Sequence, residues 1–318
     1  MGLFTPSFDK PGKGVDENAP QKRSFFRFFE ILSRKFTHFI RVSLIYSVFL
    51  IPTFIIVFLL MGLITNNILS MPGLQELMHS IAEQIAEAAD DANLAELTYN
   101  QMVVGIDMFG RLILSFLFTT LWGMGPATAG VTYVLRNFAR EEHAWVWADF
   151  LDAAKSNFKQ SVAVFVIDIV AFFVFYMAIM VYSQMPGIMG AMRYVIWMII
   201  FVFTMMHLYI YPMMVTFKLT IKELYRNALI FALGKLPSNV FIIAILLLIQ
   251  LGPAYLALQY GGNYYVLLLI IAIILELVIF LSLSSFLVNF NAYPKMKKYM
   301  MENNDEEVKT DIFENEDE

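Results

Sequence analysis

The positive charges of this chain are segregated, and this segregation constrains the fold more than any motif does. Of the 22 Lys and Arg residues, eight lie within residues 1–41, four within 136–159, four within 218–235 and four within 295–309. Residues 65–110 contain seven acidic residues and no basic one. Because basic residues concentrate in the cytoplasmic loops of membrane proteins, this pattern predicts a polytopic membrane protein with both ends in the cytosol.

Long apolar runs separate the basic clusters. A hydrocarbon core of about 30 Å needs about 20 apolar residues per helix, and six runs are long enough. They cover residues 42–64, 112–135, 162–182, 194–217, 240–258 and 264–288. The chain is 59% hydrophobic and only 15% charged, which leaves too little polar surface for a soluble fold. We therefore predict an all-α domain of six transmembrane helices over residues 42–290, in the plasma membrane and with the lipid bilayer as a partner.

The segments outside the spans have their own patterns. Residues 1–20 contain prolines and scattered charges, which predicts a disordered cytosolic N-terminus. Residues 21–41 place aromatic side chains and arginines on opposite faces at helical spacing, which predicts an amphipathic helix lying on the inner leaflet. An acidic cytosolic tail is expected over residues 291–318. Further helices are expected in an external loop at residues 65–107 and in cytosolic segments at residues 143–160 and 220–237.

The most distinctive stretch runs from the second predicted span into the loop that follows it. Small residues and a proline follow one another there, and small residues allow a neighbouring helix to approach closely. The stretch predicts a kinked second helix with a packing motif of Gly123, Gly125, Pro126, Ala127, Thr128 and Gly130. The loop beyond it combines basic and aromatic side chains. We interpret it as a docking surface for a partner subunit, formed by Arg136, Trp147, Asp149, Phe150, Asn157 and Phe158.

Ionisable side chains within spans are costly, on the order of 3 kcal/mol at mid-depth, and indicate functional sites. Glu276 lies near the middle of the sixth run, His207 near the middle of the fourth, and Asp168 nearer the cytosolic end of the third. Gln250, in the fifth run, lies at a comparable depth. One interpretation is a proton relay or substrate site built on Glu276 and His207. The alternative is structural: neutral Glu276 and His207 hydrogen-bonded across the bundle, and Asp168 paired with a cytosolic Lys or Arg.

The sequence gives little support to an enzyme. It contains no cysteine and only four histidines, which are scattered over different segments. It also lacks the phosphate-binding and nucleophile motifs of NTPases and hydrolases. We therefore expect no catalytic residues, no metal site and no cofactor. The net charge of −5 comes largely from the external loop and the acidic tail, and we expect no nucleic-acid partner.

With these motifs in view, the sequence resembles a known family, the YesL-like bacterial integral membrane proteins, which are classed as a domain of unknown function. The resemblance covers roughly residues 24–300, and the external loop and acidic tail depart from the family pattern. It rests on the basic aromatic N-terminal helix and on Gly125-Pro-Ala-Thr-Ala129, Tyr133-Val-Leu-Arg136, Trp147-Ala-Asp-Phe150 and Asn157-Phe-Lys159. It implies a role beside the carbohydrate ABC importers of Gram-positive bacteria, and it implies no mechanism and no catalytic residues.

Three functions remain open at this stage. The first is a non-catalytic accessory or regulatory subunit of a carbohydrate ABC importer, which would contact the permease or sugar-binding subunits through its cytosolic helices. The second is a small secondary transporter that uses Glu276 and His207. The third is a scaffold that only organises other membrane proteins.

Overall fold

The computed structural model describes residues 23–302, so the predictions for residues 1–20 and for the tail beyond residue 302 lie outside the described part. That part is almost entirely helical. Six of its helical segments are long and apolar enough to cross a membrane. The prediction of an all-α protein with six candidate membrane spans is therefore confirmed.

The helices follow one another through short connections. In chain order they are α1 (Ser24–Arg34), α2 (Phe36–Leu69), α3 (Pro72–Ala89), α4 (Asn93–Trp122), α5 (Pro126–Ala139), α6 (Val146–Ser156), α7 (Phe158–Ser183), α8 (Gly187–Met214), α9 (Ile221–Gly234), α10 (Leu236–Tyr260), α11 (Tyr265–Leu275) and α12 (Leu281–Met296). A π-helical segment, Glu276–Phe280, joins α11 to α12, and a second one, Lys297–Glu302, follows α12. The candidate spans are α2, α4, α7, α8, α10 and the rod that contains α11 and α12.

The two ends of the bundle differ in charge. Because six spans return the chain to the side where it began, α1, α6, α9 and the end of α12 share one end, which we call the basic face. The acidic helix α3 lies at the opposite end, which we call the acidic face. Helix α1 is held at the basic face by Phe28, whose ring stacks on Phe286 with centroids 5.0 Å apart. Arg34 of α1 also pairs with Glu141 at 2.8 Å.

The second span departs from its predicted form. A single kinked helix over residues 112–135 was expected, but α4 ends at Trp122 and a new helix begins at Pro126. Gly123 and Gly125 between them have φ angles of +84° and +67°, which side chains with a Cβ rarely adopt. Proline at the first position of α5 costs no hydrogen bond, because that N–H would have no helical partner. The prediction of a kinked helix is therefore wrong, and the span is broken.

Helix α5 is the centre of the bundle. Every side chain from Ala127 to Ala139 is buried except that of Tyr133. Gly130 is a point of close approach, since a Cβ there would lie 2.8 Å from the carbonyl oxygen of Phe150 on α6. A side chain at Gly130 would therefore push α6 away from α5.

The chain remains helical further than predicted at its C-terminal end. Residues 291–302 were assigned to an acidic tail, but they continue α12 and the π-helical segment after it. Ala292 and Met296 are buried against the helices of the core. The prediction that the tail begins at residue 291 is wrong, because these apolar side chains alternate with lysines at helical spacing and pack inward.

Candidate functional site

A histidine and an aspartate meet inside the bundle. His207 on α8 and Asp168 on α7 are both buried, and the His207 Nε2 and Asp168 Oδ1 atoms lie 2.8 Å apart. Asp168 is ten residues from the start of α7, which places it about 15 Å into the bundle from the basic face. The partner of Asp168 is thus a histidine of a neighbouring span, and not the cytosolic Lys or Arg considered from the sequence.

The hydrogen bonds of His207 indicate how many protons the His207–Asp168 pair holds. His207 Nδ1 lies 2.9 Å from the carbonyl oxygen of Phe203, which can only accept, so Nδ1 carries a proton. The contact between Nε2 and Asp168 then needs one more proton, held either by the imidazole or by the carboxyl group. The pair has no net charge in either case. Transfer of one proton from His207 Nε2 to Asp168 Oδ1, which lie 2.8 Å apart, therefore converts an ion pair into a neutral pair.

Tyr225 connects this pair to the basic face. The Oδ2 atom of Asp168 and the hydroxyl oxygen of Tyr225 are both buried, and neither forms a hydrogen bond of normal geometry with a described residue. The two groups lie near each other, and burial together with the Asp168 carboxyl group raises the pKa of the Tyr225 hydroxyl above its usual range. Tyr225 belongs to α9, which lies at the basic face. It was not among the residues singled out from the sequence.

A polar cavity lies beside His207. Its volume is about 40 Å³, enough for about three water molecules at roughly 10–15 Å³ each. The ring of Trp122 closes one side, stacked on His207 with centroids 5.7 Å apart. The hydroxyl-bearing side chains that line the cavity are Tyr46, Thr119, Thr120, Thr128, Thr132, Tyr211, Ser284 and Ser285. A cavity lined in this way offers both donors and acceptors to water.

The helix break opens onto the same cavity. The N–H of Gly125 donates to the Tyr211 hydroxyl at 3.0 Å, and the N–H of Met124 donates to Thr128 Oγ1 at 2.6 Å. Thr128 in turn shares a 2.8 Å hydrogen bond with Tyr46. The positive end of the α5 dipole thus lies inside the bundle. Discontinuous helices place their ends at the substrate and ion sites of secondary transporters in this way.

A second carboxyl group lies further toward the acidic face. Gln250 Nε2 donates to Glu276 Oε1 at 3.0 Å and lies 3.4 Å from Ser284 Oγ, whose side chain also lines the polar cavity. Glu276 is buried at the start of the π-helical segment, a distortion that is frequent at functional sites. A second cavity of about 40 Å³ adjoins it, with mainly apolar walls from α4, α10 and α11. Gln250 therefore joins the two regions.

These side chains follow one another across the bundle, and we call the series the polar chain. It runs from Tyr225 through Asp168, His207, the cavity hydroxyls, Ser284 and Gln250 to Glu276. The sequence placed His207 beside Glu276, whereas the structure pairs His207 with Asp168 and Glu276 with Gln250. No sequence signal distinguished Ser284 from other serines.

The proposed docking residues separate into two groups. Arg136 is only 6% exposed and donates from Nη1 to the carbonyl oxygen of Val215 at 2.7 Å. Phe150 is 1% exposed and packs against Gly130. The prediction that Arg136 and Phe150 lie on a docking surface is wrong, because both connect helices inside the bundle.

Of the other four docking residues, Trp147 and Asp149 lie in α6, Asn157 follows its last residue, and Phe158 begins α7. Asp149 Oδ2 accepts from the N–H of Trp145 at the start of the helix, and Asn157 Nδ2 donates to the carbonyl oxygen of Ala153 at its end. These two polar residues stabilise the ends of α6. Trp147 and Phe158, each 56% exposed, remain available on the surface.

The fold and the polar chain define a multi-pass α-helical membrane protein with ionisable groups inside its bundle. Residues 111–179 of the chain match a family described as protein of unknown function, DUF624. The matched segment includes the helix break, α5, α6 and Asp168. No curated protein and no solved structure matches the chain. Within residues 23–302, no group of three or more His, Asp or Glu side chains is arranged to hold a metal ion.

Proposed function

We propose that this protein is a non-catalytic membrane transporter whose transported ion is the proton, which it relays along the polar chain. The observation that carries the proposal is the linkage of two buried carboxyl groups, Asp168 and Glu276, through His207, the hydroxyl-lined cavity and Gln250. Intramembrane carboxyl and imidazole groups are costly and are typical of proton relays. Hydrophobic packing alone would have used apolar residues at these depths.

Each member of the polar chain has a distinct role in this proposal. Tyr225 brings a proton from the basic face to Asp168, and the Asp168–His207 pair holds it. Water in the cavity carries it past Ser284. Gln250 has no titratable proton, so it orients the carboxyl group of Glu276, which exchanges protons with the acidic side. The positive charges of the basic face support its location in the cytosol, with the protein in a bacterial plasma membrane.

Replacing Glu276 by glutamine should reduce proton transport by a factor on the order of 100 or more relative to the wild type, the usual effect of removing a general acid–base group. Glutamine keeps the shape and can still hydrogen-bond to Gln250, but it cannot bind and release a proton. The measurement is acidification of liposomes that contain the protein and a pH-sensitive dye, driven by a potassium diffusion potential.

The matched control for this experiment is Ser47→Ala. Ser47 donates to the backbone carbonyl oxygen of Leu277, one residue from Glu276, but it is not part of the polar chain. The control should transport at the wild-type rate. The proposed proton relay would be contradicted if liposomes with the wild-type protein acidified no faster than protein-free liposomes. Normal proton transport by the Glu276→Gln variant would also contradict it.

A second function is favoured by the size of the cavities. Ligand pockets for small molecules usually occupy about 300–1,000 Å³, and each cavity of the polar chain has about 40 Å³. A sugar therefore does not fit inside this bundle. We propose that any role in carbohydrate import, which the resemblance to the YesL-like family implies, is that of an accessory subunit beside an ABC permease. The exposed aromatic rings of Trp147 and Phe158 supply the contact surface for it.

The accessory function predicts that a tagged protein, crosslinked briefly in its host and extracted in mild detergent, recovers permease or sugar-binding subunits in near-stoichiometric amounts. Trp147→Ala combined with Phe158→Ala should reduce this recovery severalfold, because hot-spot contacts at interfaces are often aromatic. Trp197→Ala is the control, since Trp197 is 54% exposed and lies on α8 away from the basic face. A partner-free particle would argue against this function. Unchanged sugar uptake after gene deletion, despite a recovered partner, would indicate a scaffold.

A further inference from the structure

A groove at the basic face lies between the first turns of α2 and the segment that leads into α6. Its volume is about 500 Å³, more than ten times that of either buried cavity. Its α2 wall includes His38, Arg41 and Leu44, and its other wall includes His143, Trp145 and Trp147. The polar chain does not include these residues.

The positive charge of the groove is the guanidinium group of Arg41. The two acidic residues closest in sequence to His143 are already paired, Glu141 with Arg34 at 2.8 Å and Glu142 with Arg140 at 2.5 Å. Arg41 is exposed and forms no ion pair with any residue between 23 and 302. None of the residues that line the groove is acidic. The groove is therefore complementary to an anion.

The chemical character of the groove also changes along the membrane normal, from basic to apolar. Arg41 and His38 lie within the first two turns of α2, at the level where the bundle meets the basic face. One turn deeper, Leu44 and Val48 are exposed on the lipid-facing side of the same helix. Trp145 is 70% exposed beside the basic end, and tryptophan is enriched at the headgroup level of bilayers. Basic, aromatic and apolar surfaces thus follow one another from the face into the membrane.

We propose that this groove binds an anionic phospholipid of the leaflet at the basic face. The phosphate accepts from Arg41 and from the imidazole N–H groups of His38 and His143, the glycerol region contacts Trp145, and an acyl chain follows Leu44 and Val48. A zwitterionic lipid binds more weakly, because its ammonium group would be repelled by Arg41. A peptide partner would match the charge, but it would not match the apolar surface that continues up α2 into the hydrocarbon region.

The test is lipid competition on the intact protein. The protein is reconstituted in nanodiscs that contain equal amounts of phosphatidylglycerol and phosphatidylcholine, and the retained lipids are counted by native mass spectrometry. The wild type should retain phosphatidylglycerol in excess. Arg41→Gln should reduce this excess severalfold, because the bound phosphate loses the charge-assisted hydrogen bonds of the guanidinium group. Arg41→Lys should keep most of it, because the charge remains.

Arg226→Gln is the matched control, since Arg226 is an exposed base of α9 at the same face but outside the groove. It should leave the lipid ratio unchanged. An equal loss in Arg41→Gln and Arg226→Gln would show that surface charge in general attracts the lipid, and it would overturn the site. Equal retention of both lipids by the wild type would also overturn it and leave the groove to a protein partner.

Discussion

Replacing Gly123 by alanine should sharply lower both the yield of folded protein and the midpoint of its thermal unfolding. A Cβ at this position would lie 2.6 Å from the ring of Tyr211 and 2.9 Å from Thr128, and the φ angle of +84° is unfavourable for any residue with a side chain. Backbone strain of this kind costs about 1–3 kcal/mol, and overpacking costs about 1–3 kcal/mol more. Together these costs come to about 2–6 kcal/mol, and the upper value reaches the lower end of typical protein stabilities, about 5–15 kcal/mol.

Variants at two other glycines distinguish backbone strain from steric overlap as causes of the destabilisation. Gly125 has a φ angle of +67°, but its Cβ would meet no atom closer than 3.6 Å, so Gly125→Ala isolates the strain. Gly105 lies inside α4 with nothing within 4 Å, and Gly105→Ala should be stabilising by up to about 1 kcal/mol. The measurement is the midpoint of thermal unfolding in detergent, followed by fluorescence-detected size exclusion. Equal midpoints for Gly123→Ala and Gly105→Ala would contradict the role of the break.

Replacing His207 by leucine should destabilise the protein by about 3–5 kcal/mol, the usual cost of removing one partner from a buried ion pair. Leucine leaves the Asp168 carboxyl group buried without the proton that His207 shares with it. It also leaves the carbonyl oxygen of Phe203 without its donor. The measurement is the loss of helical structure as the denaturing detergent fraction is raised.

The double variant Asp168→Asn with His207→Leu tests whether this loss belongs to the pair. Asparagine is neutral, so burial without His207 costs less than burial of the carboxylate. The double variant should lose less stability than the two single variants lose in sum, by about 0.5–3 kcal/mol, a coupling typical of residues in one network. If the losses of the single variants simply add, Asp168 and His207 do not stabilise each other.

The spans followed from the sequence because hydrophobicity and charge act over whole segments. A run of about twenty apolar residues in a membrane protein has few possible structures other than a spanning helix. The errors of the prediction therefore lay at the ends of the helices and at the break between α4 and α5. Pro126 permits either a kink in a continuous helix or the start of a new one. The choice depends on whether neighbours such as Thr128 and Tyr211 satisfy the freed N–H groups. Tyr211 lies far from the break in the sequence, so its contribution could not be foreseen.

The candidate polar residues were also visible in the sequence, because each stands out within an apolar run. Their partners were not visible, since the relative depth of Asp168, His207 and Glu276 depends on where each helix begins. Arg136 shows the opposite difficulty. It resembles a surface base at the end of an apolar run, but its guanidinium group binds a carbonyl oxygen beyond the end of α8 and is enclosed by the bundle.

The interruption between α4 and α5 has a mechanical consequence. No helical hydrogen bond joins α4 to α5 across Gly123, Met124 and Gly125, so the direction of α4 is not set by α5 through the backbone. The thirty residues of α4 form an arm about 45 Å long, and contacts with α2 along this arm, such as the hydrogen bond from Thr65 to Asp107, set its direction instead. Trp122, at the end of the arm, lies against His207. The position of the ring that covers the buried pair therefore depends on how α4 packs against α2.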